Sequence, residues 1–110
     1  MQSCIFCKIV AREIPSLIVA ETDRVLVFKD IHPKASIHDL IIPKKHIQDV
    51  QSLTSQDSAV MGEIILMAQQ LARELPGSQS FRLVSNNGPA VQLVSHLHFH
   101  FLAGKNLPDF

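Results

Sequence analysis

The chain has 110 residues, 46% of them hydrophobic and 18% charged, which is enough apolar material for the core of one globular domain and too little length for a second. Ten Lys plus Arg balance ten Asp plus Glu, so the formal net charge is zero, and long-range attraction to a nucleic-acid backbone or an anionic membrane is not built in. A low charged fraction and a mean hydropathy of +0.18 point to a homo-oligomer, while the lack of any run near the ~18 apolar residues of a membrane span, or of a signal-peptide layout, points to the cytoplasm.

Residues 4–12 carry Ile5, Phe6, Ile9 and Val10 at helical spacing, with Ser3 available as an N-cap and Pro15 barring continuation, so a short N-terminal helix is predicted. Residues 16–20 and 24–30 are rich in Val, Ile and Leu and flank Glu21-Thr22-Asp23, the pattern of a β-hairpin. Residues 31–36 read as a loop, and 38–43 as a third strand stopped by Pro43. Thr54 and Asp57 resemble a capping box at the start of the main helix, whose apolar positions Val60, Met61, Ile64, Ile65, Met67, Ala68, Leu71, Ala72 and Leu75 persist to Pro76-Gly77. That apolar arc spans roughly 160°, wider than the ~100° stripe that covers one face of a sheet, and the surplus suits a second subunit. Residues 80–85 and 94–102, joined through the turn-rich Asn86-Asn87-Gly88-Pro89, complete five strands. Strands that follow one another through short turns imply an antiparallel sheet of the α+β class.

The strand predicted over 94–102 contains His96, His98 and His100 in strict alternation with Leu97, Phe99 and Phe101. Side chains alternate across a strand, so the imidazoles share one face and the apolar residues enter the core. Successive rings start ~6.6 Å apart, too far for all three to meet on one tetrahedral ion, which implies separate roles. Imidazole can be nucleophile, proton donor or ligand near neutral pH, and a row of it suits phosphoryl transfer through a phospho-histidine. Cys4 and Cys7 have metal-ligand spacing, but two ligands do not close a structural site, and a disulfide between them would enclose almost no loop.

The run His96-Leu97-His98-Phe99-His100-Phe101-Leu102 resembles the His-φ-His-φ-His-φ-φ signature (φ apolar) of the histidine triad superfamily of nucleotidyl hydrolases and transferases. Cys4-Ile5-Phe6-Cys7-Lys8-Ile9 is similar to the opening of bacterial members, and Phe28-Lys29-Asp30-Ile31-His32-Pro33 to the nucleoside-pocket segment. Residues 38–47 are similar to the strand and turn beyond it. The Hint-like branch of homodimeric nucleoside phosphoramidases is the nearest resemblance. It implies a five-stranded antiparallel sheet with one short and one long helix, the long helix at the dimer interface. It also implies a purine nucleotide ligand and no catalytic cofactor. Carried over residue by residue, His98 is the nucleophile, with His100 and His38 flanking the α-phosphate. Ile5, Phe6, Ile9, Phe28 and Ile31 form the purine slot, Asp30 accepts from the ribose hydroxyls, and Asn86, Gly88 and Gln92 belong to the phosphate loop. Asn86 and Gly88 serve equally well as turn residues. The resemblance further implies a structural zinc on Cys4, Cys7, His46 and His96.

The loop departs from the family pattern: one residue is missing, Val91 stands where Gly is usual, and Leu93 where Ser or Thr is common. A β-branched residue resists backbone conformations that present an N–H to phosphate. Altered leaving-group preference or slow turnover is the expected consequence. Two further readings follow, a zinc-stabilised nucleotide-binding module with little turnover and a dinucleoside polyphosphate hydrolase. Absence of Trp and Tyr leaves the chain with little ultraviolet absorbance, so a bound nucleotide would be easy to see.

Overall fold

Helix α1 spans Ile5–Val10, and Cys4 is its N-cap: the sulfur accepts the Cys7 N–H at 3.3 Å, satisfying one of the orphan donors of the first turn. The computed structural model describes residues 4–105 and 107, and Ser3, the expected cap, lies outside them. The helix stops earlier than predicted because Ala11 closes it and Arg12 takes a left-handed backbone conformation (φ 63°) that turns the chain toward the sheet.

Strands β1 (Ile18–Glu21), β2 (Val25–Lys29), β3 (Ile37–Pro43), β4 (Phe81–Val84) and β5 (Phe99–Ala103) form one antiparallel sheet in the order β1-β2-β3-β5-β4. The capping box at Thr54 and Asp57 is present, but it sits on a single 3₁₀ turn, Ser55–Asp57, and the long helix α2 follows as Ser58–Glu74. Among the described residues no helix is long and apolar enough to cross a membrane.

Period-two alternation divides the sheet into two faces. Val25, Val27 and Ile41 pack against Val60, Ile64, Met67 and Leu71 of α2, whereas Leu26, Phe28, Leu40 and Ile42 pack against Phe6 and Ile9 of α1. Ile64 is fully buried. Trimming it to valine removes one methylene, with an expected cost of about 1 kcal/mol and a fall in Tm of about 4 °C, measurable by calorimetry. On its outer side α2 leaves Ile65, from the apolar arc, 53% exposed, and Leu66, which the arc does not include, 61% exposed.

The last predicted strand is corrected by the structure. β5 begins only at Phe99, and residues 94–98 make no ladder. Their polar groups are bonded otherwise: Leu97 N–H donates to the Ile47 carbonyl at 2.7 Å, and the rings of His96 and His98 donate to backbone carbonyls. Alternation survives without the ladder. Leu97 and Phe101 are buried on the α2 side, while the three imidazoles gather on the α1 side.

Candidate active site and metal cluster

Three histidines, His38, His98 and His100, come together because β3 and β5 are neighbours in register, with Leu40 opposite His100 and His38 opposite Leu102. Their ring centroids are 5.1 Å apart for His98–His100 and for His38–His100. Phe6 of α1 packs edge-on against His98 at 5.2 Å and against Phe28 at 5.3 Å, which brings the first helix to the triad.

Backbone groups fix which ring nitrogen carries the proton. A carbonyl only accepts, so His98 Nδ1–H donates to the His96 carbonyl at 2.7 Å, and the His98 Nε2 lone pair is left free. An amide N–H only donates, so the Lys34 N–H at 2.9 Å makes His38 Nδ1 an acceptor and puts its proton on Nε2. That Nε2–H donates to His100 Nδ1 at 2.8 Å, which leaves His100 with its own proton on Nε2. Burial, reinforced by the neighbouring His98 and His38 rings, pushes His100 down to about 4, and burial also lowers His38 against the opposing pull of Asp30. Both rings are therefore neutral at pH 7.

Two cavities meet at this row. One, of about 270 Å³, is walled by Ile5, Phe6, Ile9, Phe28, Ile31 and Leu40. The other, of about 460 Å³, is lined by His32, Lys34, His38, Asn86, Val91 and Leu102 among others. Asp30, Leu93, His98 and His100 border both. Asp30 accepts the His32 N–H at 2.8 Å through Oδ1, and its Oδ2 is 3.4 Å from His38 Nε2, leaving lone pairs for a ligand. An apolar slot with a carboxylate at its rim and imidazoles at its end suits a base, a sugar and a phosphate in that order.

Of the residues singled out in the sequence, His38, His98, His100, Asp30, Asn86 and the five slot residues line these cavities. Gly88 and Gln92 do not: Gly88 N–H donates to Gln92 Oε1 at 3.1 Å, and Gln92 Nε2 donates to the Gln48 carbonyl at 2.6 Å, so their polar groups close the loop and pin it to the segment after β3. Sequence patterns mark Lys34 only as part of the loop over 31–36. It lines the larger of the two cavities and orients His38 through its backbone, a role that a side-chain motif does not encode. His32 is exposed at the same mouth.

Behind the triad, Cys4, Cys7, His46 and His96 offer four ligand atoms within 4.8 Å of one another. Cys4 Sγ is 3.4 Å and Cys7 Sγ 3.6 Å from His96 Nδ1, and Cys7 Sγ is 3.3 Å from His46 Nδ1. Thiolate sulfur and imidazole nitrogen on a tetrahedral zinc stand about 3.5 Å apart, given bonds of ~2.3 and ~2.05 Å, so the cluster fits a small tetrahedral metal. His96 Nε2–H donates to the Pro43 carbonyl at 2.8 Å, which turns the Nδ1 lone pair toward the sulfurs in the manner of an oriented metal ligand. Burial holds His96 at about 4 and lowers His46, keeping both rings neutral and ligand-ready. Burial and the Cys4 sulfur push the Cys7 thiol up, a cost that a bound cation would reverse.

The five-stranded antiparallel sheet with a histidine row beside an apolar cavity points to the histidine triad proteins, and the comparisons agree. Residues 3–109 match the family model described as scavenger mRNA decapping enzyme C-term binding, which is HIT-like. The chain is 46% identical over 105 residues to an uncharacterized HIT-like protein of Synechocystis, covering 94% of this chain and 92% of that one. A histidine triad protein from Clostridium difficile superposes with a TM-score of 0.93 at 41% identity, covering 100% of this chain and 97% of the other. A HIT family hydrolase from Legionella pneumophila gives 0.89 at 41% identity, with 94% of each chain covered. The chain belongs to the histidine triad family.

Proposed function

We propose that the protein is a homodimeric purine nucleoside 5′-phosphoramidase or closely related nucleotide hydrolase, acting at the α-phosphate through a nucleotidyl-His98 intermediate. The observation that carries this reading is the His98 Nδ1–H bond to the His96 carbonyl, which directs the Nε2 edge of the ring to the junction of the two cavities.

In the first step the His98 Nε2 lone pair forms a bond to phosphorus as the bond from phosphorus to the amine nitrogen breaks, and the amine departs with a proton taken from solvent water. His100 Nε2–H hydrogen-bonds a non-bridging oxygen, and Lys34 adds charge at the mouth. In the second step water attacks phosphorus, the bond to His98 breaks, and the nucleoside monophosphate departs. The base lies in the slot of Ile5, Phe6, Ile9, Phe28 and Ile31, and the Asp30 carboxylate accepts from the ribose hydroxyls.

The cluster of Cys4, Cys7, His46 and His96 would hold a structural zinc, which supplies cross-linking of α1 to the sheet when bound. The exposed Ile65 and Leu66 of α2, with Phe81 on edge strand β4, support a second copy as the dimer partner. Reduced cysteine ligands suit the cytoplasm.

The test is incubation of purified protein with adenosine 5′-phosphoramidate, read by chromatography of the products. AMP release with turnover is expected. Absence of both product and AMP binding would reject the reading. A second reading is favoured by Leu93, which stands 99% exposed at the rim of both cavities, and by Val91 on the phosphate side, both apolar where a hydroxyl or bare backbone would help. It is a nucleotide-binding module with little turnover, and AMP binding without product over hours would establish it. A dinucleoside polyphosphate hydrolase would use the same residues, and a substrate panel separates it.

A further inference from the structure

We propose that the metal cluster is part of the nucleotide site, and that His96 is the positioning residue that links them. This rests on the nucleotide-hydrolase reading for its kinetic consequence alone.

His96 is fully buried and makes three kinds of contact at once. Its Nδ1 faces the sulfurs of Cys4 and Cys7, its Nε2–H is held by the Pro43 carbonyl, and its own carbonyl accepts the proton that fixes the His98 tautomer. Residues 94–98 have no ladder to keep that carbonyl in place. It is held by the ring of the same residue, by the bond from Leu97 N–H to the Ile47 carbonyl next to His46, and by the Leu97 side chain buried in the main core. A filled cluster would therefore tie both sides of the turn on which His98 depends.

Phe6 gives a second connection. It lies between the two cysteines in the first turn of α1 and packs edge-on against His96 at 5.8 Å as well as against His98 at 5.2 Å, while walling the base slot. Anchoring Cys4 and Cys7 sets the place of Phe6 and its neighbours Ile5 and Ile9.

The effect is local. None of the four cluster residues belongs to the main core between the sheet and α2, so that core stands without the ion. Emptying the cluster loosens the first turn of α1 and the backbone at His96, while Leu97, Phe6 and Ile9 keep their core contacts; this degrades the slot and lets the His98 proton move between its nitrogens.

The experiment compares protein stripped by a chelator with the same protein refilled with Zn²⁺. Circular dichroism follows the fold, ¹⁵N-resolved NMR the His98 tautomer, calorimetry the AMP affinity, and adenosine 5′-phosphoramidate hydrolysis kcat. The stripped protein is expected to keep a cooperative melt, to show both His98 tautomers, to bind AMP about tenfold more weakly and to lose about tenfold or more in kcat. Zn²⁺ restores all three. His46→Ala, which removes a ligand without touching His98, should reproduce the loss at limiting Zn²⁺ and be rescued by excess, as a purely structural defect would not. A folded, stripped protein with one His98 tautomer and unchanged AMP affinity overturns the proposal. So does collapse of the whole sheet on stripping, since the cluster would then be a staple of the fold. If the filled protein hydrolyses nothing while tautomer and AMP affinity still follow Zn²⁺, the hydrolase reading fails and the coupling stands.

Discussion

Replacing His98 by alanine is expected to lower the turnover of adenosine 5′-phosphoramidate by at least about 10³-fold, or ~4 kcal/mol of transition-state stabilisation, with AMP affinity changed by only a few-fold. The size follows from the tautomers. His100 presents an N–H to the cavity, the Nδ1 of His38 is occupied by the Lys34 N–H, and the Nδ1 of His96 faces the cysteines. Only His98 among these rings offers a free lone pair where the two cavities meet. The substitution removes the His98 edge of the apolar cavity and its contacts with Phe6 and His100 but leaves the walls of Ile5, Phe6, Ile9, Phe28 and Ile31 in place, so the fold and most of the AMP affinity are expected to survive. Acid quenching of the wild type during turnover of labelled substrate should trap nucleotide on the chain, and the variant should trap none. Turnover within tenfold of wild type would remove His98 from the nucleophile's position.

Much of this arrangement was legible because two simple periods carry it. Alternation in the run from His96 to Phe101 correctly puts Leu97 and Phe101 in the core and the imidazoles together, even though the ladder begins only at Phe99. The rule reads the direction of side chains along extended backbone and does not need a hydrogen-bonded partner. Helical spacing likewise picks out the buried Val60, Ile64, Met67 and Leu71. What the sequence hides is non-local. Insertion of β5 between β3 and β4 depends on pairings across more than sixty residues. The candidate metal cluster brings Cys4 and Cys7 together with His46 and His96 from two remote segments, so spacing alone yields half of it. The tautomers are set by the carbonyls of Pro43 and His96 and by the Lys34 amide, groups that every residue owns and no motif marks. The loop from Asn86 to Ser95 also resists reading. Gln92 spends its amide on Gly88 and Gln48, and that choice turns on where the segment after β3 happens to run.

His100→Ala should lower kcat by about 10²-fold with a smaller change in KM, because a hydrogen-bond donor aimed at developing charge acts mainly in the transition state. His38 Nε2–H occupies His100 Nδ1 at 2.8 Å and so keeps the proton of the neutral His100 ring on Nε2, where it can act as the donor. His38→Ala releases that constraint without removing the ring and should cost about tenfold. The same substitution at His100 has a signature in stability. Burial holds the folded-state value at about 4, against 6.5 for a free histidine. Between those values the unfolded chain binds a proton that the folded chain refuses, so stability is intact above pH 6.5 and is lost as pH falls toward 4. Partial solvent access to the ring cuts this contribution to about 1–2 kcal/mol. Denaturant unfolding of wild type and His100→Ala across that window should therefore show the wild type losing stability relative to the variant on acidification. Parallel curves would mean that burial does not hold His100 below the value of a free histidine.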